Sequence, residues 1–187
     1  MDYYVVQVRA GNETAFKQNA GKKKIADTND YNYSVIFPQR VLKIRKAGVV
    51  SEKLMPIFPG YVFIEMEKHD QVIFQKVKKL KGFFRFLPNN MEPQALSGRD
   101  LDILSHFMGF GCVAKISKAM FDENDRIQIL EGPLMGLEGK IIKVDKRKGR
   151  AKIKLDMFSN SFSIDLGFET ISSITKNKEV KNGKIES

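Results

Sequence analysis

The chain has 187 residues, 42% apolar and 29% charged, a composition that can bury a core and excludes a disordered polymer. Lys and Arg number 32 against 22 Asp and Glu, and the net charge of +10 favours an anionic partner. The single cysteine, Cys112, excludes an internal disulfide framework and fits a reducing, cytoplasmic setting; MDYYVVQVRAGNE is no signal peptide, and no apolar run nears the roughly 20 residues that span a bilayer.

Tyr3–Val8 (YYVVQV) is β-branched and aromatic, the signature of a buried strand. Gly11-Asn12-Glu13 forms a turn, with Asn12 as the predicted cap of a helix over Glu13–Ala26. That helix sets Ala15, Phe16 and Ala20 against a lysine face of Lys17, Lys22, Lys23 and Lys24, with Gly21 a point of interruption. SVIFPQRVLKIR, the tip Lys46-Ala47-Gly48 and VVSEKLMPIF make a hairpin. After Pro56 and Pro59, the strand Gly60–Met66 places Tyr61, Phe63 and Glu65 on one face and Val62, Ile64 and Met66 on the other. Asp70–Leu80 is an amphipathic helix with Val72, Ile73, Val77 and Leu80 inside and Lys76, Lys78 and Lys79 outside. A strand over Phe83–Leu87 and a helix over Arg99–Phe107 complete the order β-α-β-β-β-α-β-α, an α+β sandwich with a mostly antiparallel sheet.

Beyond Gly109 the texture changes. Residues 111–123 are polar and predict a linker between a domain at 1–110 and one at 124–176, with a frayed tail at 177–187. Short strands at 126–130, 140–145, 151–157, 162–166 and 171–175 predict a small, SH3-like β-barrel.

Catalysis has little to stand on. His69 and His106 lack a serine–acid constellation, and no H-E-x-x-H, Walker or G-x-S-x-G motif occurs. Asp100 and Asp102 are explained by a helix start, and Asp122–Asp125 by a solvated linker. No enzyme, metal or cofactor is expected. Three glycines in GPLMGLEG (132–139), followed by KIIKVD, resemble the KOW motif, a mark of a barrel more than of a partner. The sharpest charge feature follows it: Lys140, Lys143, Lys146, Arg147, Lys148, Arg150, Lys152 and Lys154 against the one acid Asp145. Such a face either solubilises the barrel or draws phosphates, and its one-sidedness favours nucleic acid. Tyr61 and Phe63 are either core beneath a helix or, on an open face, a hot spot for a partner helix.

YYVVQV with Gly11, FPGYVFIEM at 58–66 and GPLMGLEGKIIKVD at 132–145 together resemble the NusG family of transcription elongation factors. The resemblance implies an N-terminal NGN domain, a flexible linker and a C-terminal KOW barrel, in a cytoplasmic monomer. It implies that a hydrophobic concavity of the NGN domain, here Tyr61 and Phe63 lined by Ile103 and Phe107, binds the β′ clamp helices of RNA polymerase. Arg9, Lys22 and Lys78 match basic positions that meet non-template DNA in specialised members. The housekeeping barrel reaches ribosomal protein S10 or Rho; here Phe158 and Phe162 stand in that region. No His-Thr-Thr triplet occurs near Asp70, and the KRKGR turn is more basic than a housekeeping barrel requires. The chain is thus similar to LoaP-type antiterminators, whose KOW domain recognises an RNA hairpin. The expected activity is suppression of pausing and termination. Its alternatives are a general NusG and a ribosome-associated KOW protein that binds ribosomal RNA.

Overall fold

The computed structural model describes residues 1–26 and 32–171, the side chains of 22–26 excepted. The first half runs β1 (Asp2–Val8), α1 (Glu13–Ala26), β2 (Tyr33–Ile36), β3 (Gln39–Lys46), β4 (Val49–Pro56), β5 (Tyr61–Met66), α2 (Gln71–Lys78), β6 (Phe83–Phe86) and α3 (Gly98–Met108). β1 lies between β5 and β6, both antiparallel to it, and β2 adds outside β5.

Strand alternation makes two unlike faces. Val6, Val62, Ile64 and Met66 point toward Phe16 and Ala20 of α1 and Phe74 and Val77 of α2, all buried in one cluster. Val5 stands opposite Phe63, and Gln7 opposite Tyr61, so Val5, Tyr61 and Phe63 share the other face. The carboxylate of Asp70 caps α2, accepting from Val72 N at 2.7 Å and from Ile73 N at 3.4 Å. α1 continues through Gly21 without a break.

The single run predicted over SVIFPQRVLKIR is two strands. Phe37-Pro38 separates β2 from β3, because proline has no N–H to donate to a ladder. β2 stays with the main sheet, while β3 pairs with β4 in a hairpin.

The second half comprises β7 (Val113–Ala114), β8 (Ser117–Phe121), β9 (Ile127–Glu131), a 3₁₀ turn (Glu138–Lys140), β10 (Ile141–Asp145), β11 (Arg150–Met157) and β12 (Asn160–Thr170). The barrel sheet has the order β10-β11-β12-β8-β9. Two of the strands of this half fall on residues 111–123, where a linker was predicted. β7 pairs in parallel with β3, Gln39 opposite Val113, and β8 pairs with both β12 and β9. The inward residues of β8 are Ser117 and Ala119, both fully buried but too small or polar to show as an apolar stripe. Asp122–Asp125 forms the β8–β9 turn, with Asp122 Oδ1 accepting from the N–H groups of Asn124 and Arg126. Gly132 has φ +98, and a Cβ there would lie 2.7 Å from Ser117 Cα, so close strand approach dictates this first glycine of the KOW-like turn. The predicted strand 171–175 (beyond Ile171) and the tail at 177–187 lie outside the described residues.

The second apolar cluster does not stop at a domain border. It runs from Val5, Tyr61 and Phe63 through Ile103, Leu104 and Phe107 into Leu155, Met157 and Ile164 of the barrel. No helix among the described residues is long and apolar enough to cross a membrane.

Candidate functional site

The aromatic face is assembled as the spacing predicts, but it is covered. Phe58 meets Phe63 at 5.4 Å and Phe107 at 5.8 Å between ring centroids, edge to face, with Ile103 buried beside them. An open concavity around Tyr61 and Phe63 was the expectation. Instead Tyr61 is 9% exposed and Phe63 0%, because the barrel's β11–β12 turn lies on them. The Phe158 ring is 5.1 Å from Tyr61 and 6.2 Å from Phe63, and Phe162 is 5.6 Å from Tyr61. Rings of this size left in water cost about 1.5–3 kcal/mol each, which is why an uncovered aromatic hollow attracts the nearest apolar turn. Phe158 and Phe162, the residues matched to a barrel partner, are therefore engaged within the chain.

The covering turn is unusual. Phe158 and Ser159 have φ of 54 and 59, the left-handed pair of a tight two-residue hairpin. Asn, Asp and Gly suit such positions; a phenylalanine there carries about 1–2 kcal/mol of strain. Polar groups frame the aromatic contact. Phe158 N donates to Asp100 Oδ2 at 3.1 Å, so Asp100 serves the barrel, and Ser97, which precedes α3, makes no side-chain cap bond. Arg99 pairs with Asp156 at 3.4 Å, and His106 Nε2 donates to Pro133 O at 2.9 Å. The hydroxyl of Ser161, chiefly, holds the Asp156 carboxyl below its ordinary range.

Alternation along β11 buries Ala151, Ile153 and Leu155 and turns Arg150, Lys152 and Lys154 outward. Lys143 of β10 stands opposite Lys152, so these cations share one surface. The turn adds Lys146, Arg147 and Lys148, while Lys140 sits in the 3₁₀ turn at the far end of β10. Several of these charges are partly offset. Lys152 lies 3.3 Å and Arg150 3.9 Å from Asp165, Lys148 is 3.6 Å from Asp145, and Lys146 pairs with Asp125 while lying over the Phe121 ring. The backbone N–H of Lys148 is the main cause of a lowered Asp145 pKa. Lys140, Lys143, Arg147 and Lys154 form no ion pair among the described residues.

Of the positions matched to DNA contacts, no interaction among the described residues joins Arg9 to Lys78. Arg9 is exposed beyond β1, and Lys78 ends α2 with Nζ donating to Asn90 O at 2.7 Å. The side chain of Lys22 lies outside the described residues.

Sequence reasoning missed a third basic element, the β3–β4 hairpin. Arg40 is buried, its Nη1 donating to Pro56 O and its Nε without a partner. Burial pushes its guanidinium down to about 10, with Asp165 opposing that shift and Arg150 adding to it. Lys43 reaches Glu169 of β12 at 3.4 Å, and its carbonyl accepts from Arg150 Nη2 at 3.1 Å. The run KIRK at 43–46 carried the signal, but nothing local in it points to the barrel.

Residues 1–105 match the family model described as "Transcription termination factor nusG", and residues 123–154 match the KOW motif model. The "Transcription termination/antitermination protein NusG" of Thermus thermophilus is 24% identical over 179 residues, covering 91% of this chain and 97% of its own length. The protein of the same name from Rickettsia typhi is 26% identical over 174 residues, covering 90% and 88%. Among solved structures, one titled "Domain interaction in Thermotoga maritima NusG" aligns with 19% identity and a TM-score of 0.49, over 89% of this chain and 93% of that one.

Proposed function

The chain belongs to the NusG family of transcription termination/antitermination factors, and on that premise we propose a two-contact mechanism. Tyr61 and Phe63, flanked by Ile103 and Phe107, seat on the β′ clamp helices of RNA polymerase once the barrel has left them. The outward cations of the barrel, Lys140 to Lys154, hold structured nascent RNA. Arg9, Lys22 and Lys78 lie toward non-template DNA. A factor bound better to the closed, elongating polymerase than to the paused one suppresses pausing and termination with no active site of its own.

The observation that carries this reading is the kind of cover the aromatic face has. An ordinary core is closed by elements of its own domain. Here the lid is a strained turn of a second domain, with Phe158 at φ 54 and a frame of exposed polar groups. Such a lid can be exchanged for a partner helix that presents equivalent apolar surface.

The test is a termination assay with purified polymerase and a leader RNA. Tyr61→Ala/Phe63→Ala is expected to abolish readthrough while leaving the barrel's own hold on RNA in place. Replacing Lys146, Arg147, Lys148 and Arg150 by Ala is expected to weaken RNA binding, and readthrough with it, and to flatten the salt dependence of RNA binding by about 0.9 for each phosphate no longer held. RNA binding untouched by the second variant would overturn the RNA arm. In that event the release of Phe158 and Phe162 on opening favours a general factor whose barrel takes ribosomal protein S10 or Rho, and capture of either by the four-fold variant would establish it.

A further inference from the structure

Docking places the basic turn opposite the β3–β4 hairpin across a cleft of about 560 Å³. Lys43 and Arg45 come from one wall, and Lys146, Arg147, Lys148 and Arg150 from the other. The lining itself offers one carboxylate, Glu169, taken by Lys43, while Lys146, Lys148 and Arg150 pair outside the lining with Asp125, Asp145 and Asp165. Arg45 and Arg147 are exposed and form no ion pair among the described residues. Arg150 is half-buried, its Nη groups on the Lys43 carbonyl and Asp165 and its Nε unpartnered, and the buried Arg40, which does not line the cleft but whose pKa Arg150 helps to depress, has an unpartnered Nε as well.

Bringing like charges together across a domain interface opposes docking unless an anion lies between them. Guanidinium forks suit phosphate oxygens, which they bind in bidentate fashion. The apolar flanks of Ile44 and Val50 leave the wall free of competing acids. We propose that this interdomain cleft is a composite site for the phosphodiester backbone of a nucleic acid, with Arg45 and Lys43 of the hairpin and Arg147, Lys148 and Arg150 of the barrel gripping one strand from two sides. The assignment rests on the reading of the barrel as a nucleic-acid binder and adds a second wall to it. Since both walls meet the ligand only in the docked chain, binding favours the closed arrangement by the same factor that closure favours binding.

The experiment titrates the full chain against a fluorescent RNA stem-loop of about 20 nucleotides and a DNA duplex of equal charge, at several salt concentrations. Arg45→Glu is the informative variant, because Arg45 is exposed and outside any ion pair among the described residues; an unchanged melting temperature confirms that it folds. Its affinity for whichever probe is the ligand is expected to fall about tenfold, with the salt slope reduced by about 0.9. The same substitution is then made beside Phe158→Asn, in a background shown to be open by small-angle scattering, where its effect is expected to vanish. The RNA and DNA probes identify which nucleic acid supplies the backbone. If Arg45→Glu binds like the parent while the Lys146/Arg147/Lys148/Arg150→Ala variant does not, the composite site is wrong and the barrel reading stands. If neither variant changes binding, both fall. If Arg45→Glu weakens docked and open chains equally, the hairpin acts alone and the docking-dependent site is overturned.

Discussion

Phe158→Asn separates the two consequences of one residue. The ring of Phe158 lies against Tyr61 and Phe63 at 5.1 and 6.2 Å, so its removal deletes two inter-domain aromatic contacts. Each such contact contributes about 0.5–1.5 kcal/mol, and the half-buried ring adds about 1 kcal/mol of transfer free energy. Docking is therefore expected to weaken by about 3 kcal/mol, roughly a hundredfold in the open-to-closed ratio. The barrel itself should gain, because asparagine accepts the left-handed conformation that phenylalanine holds at a cost of about 1 kcal/mol or more. The N–H bond from position 158 to Asp100 belongs to the backbone and is retained. Small-angle scattering reads the opening directly, and binding to a clamp-helix fragment of polymerase reads the freed face. An unchanged radius of gyration, or a barrel that unfolds below the parent's transition, would refute the division of labour assigned to this turn.

Other outcomes follow from the same contacts. The Asp156 pKa is depressed chiefly by the Ser161 hydroxyl of its own hairpin, so its contribution to the barrel's folding stability is present above the ordinary carboxylate pKa of 3.8 and is lost as pH falls through the lowered value. Acidification over that window should lower the barrel's melting temperature, and Asp156→Asn should remove part of that dependence. At neutral pH Arg99→Ala should change docking by less than about 1 kcal/mol, since the pair is exposed; a larger change in scattering would show that the frame, not the rings, holds the domains. Gly149→Ala places a Cβ 2.5 Å from Phe168 O at φ +60, and Gly132→Ala places one 2.7 Å from Ser117 Cα. Both should lower the barrel's melting temperature, by about 2 kcal/mol or more in stability at each site, and neither should lower the affinity of the separated aromatic face.

Periodicity made most elements readable. The alternation of GYVFIEM set Tyr61 and Phe63 on one face, AKIKL set Lys152 and Lys154 outward, and Asp70 marked its helix start, all from local rules. β8 escaped because Ser117 and Ala119, though fully buried, carry no hydrophobic signal. The covering of the aromatic face was illegible for another reason. Phe158 is some hundred residues from Tyr61 in the chain, and nothing in the local pattern of DMFSNSF distinguishes a ring aimed at a foreign partner from one aimed at its own neighbour. The hairpin wall of the cleft failed likewise: KIRK reads as a solvated strand end until β3 is found lying against β12.

On the proposed function, one aromatic face serves two occupants, and the balance between them is quantitative. A partner that needs the open form binds with its intrinsic affinity multiplied by the open fraction, so a chain open 1% of the time binds about a hundredfold more weakly. The Phe158 contacts alone, at about 3 kcal/mol, contribute a factor of roughly a hundred to that fraction. A nucleic acid in the interdomain cleft lowers it further, because it is held by both walls only when the domains are closed. The two ligands must then compete without touching. Saturating stem-loop RNA is expected to weaken binding of a clamp-helix fragment to the parent chain about tenfold, the factor assigned to the hairpin wall. The Phe158→Asn chain, already open, should show no such competition. Lys143, Lys152 and Lys154 face outward from the β-sheet of the barrel, away from its core, so RNA keeps those contacts while it gives up Arg45 as polymerase takes Tyr61 and Phe63. Competition of equal size in both chains would mean that RNA and clamp meet at a common surface, and the exchange of walls would not be the link between them.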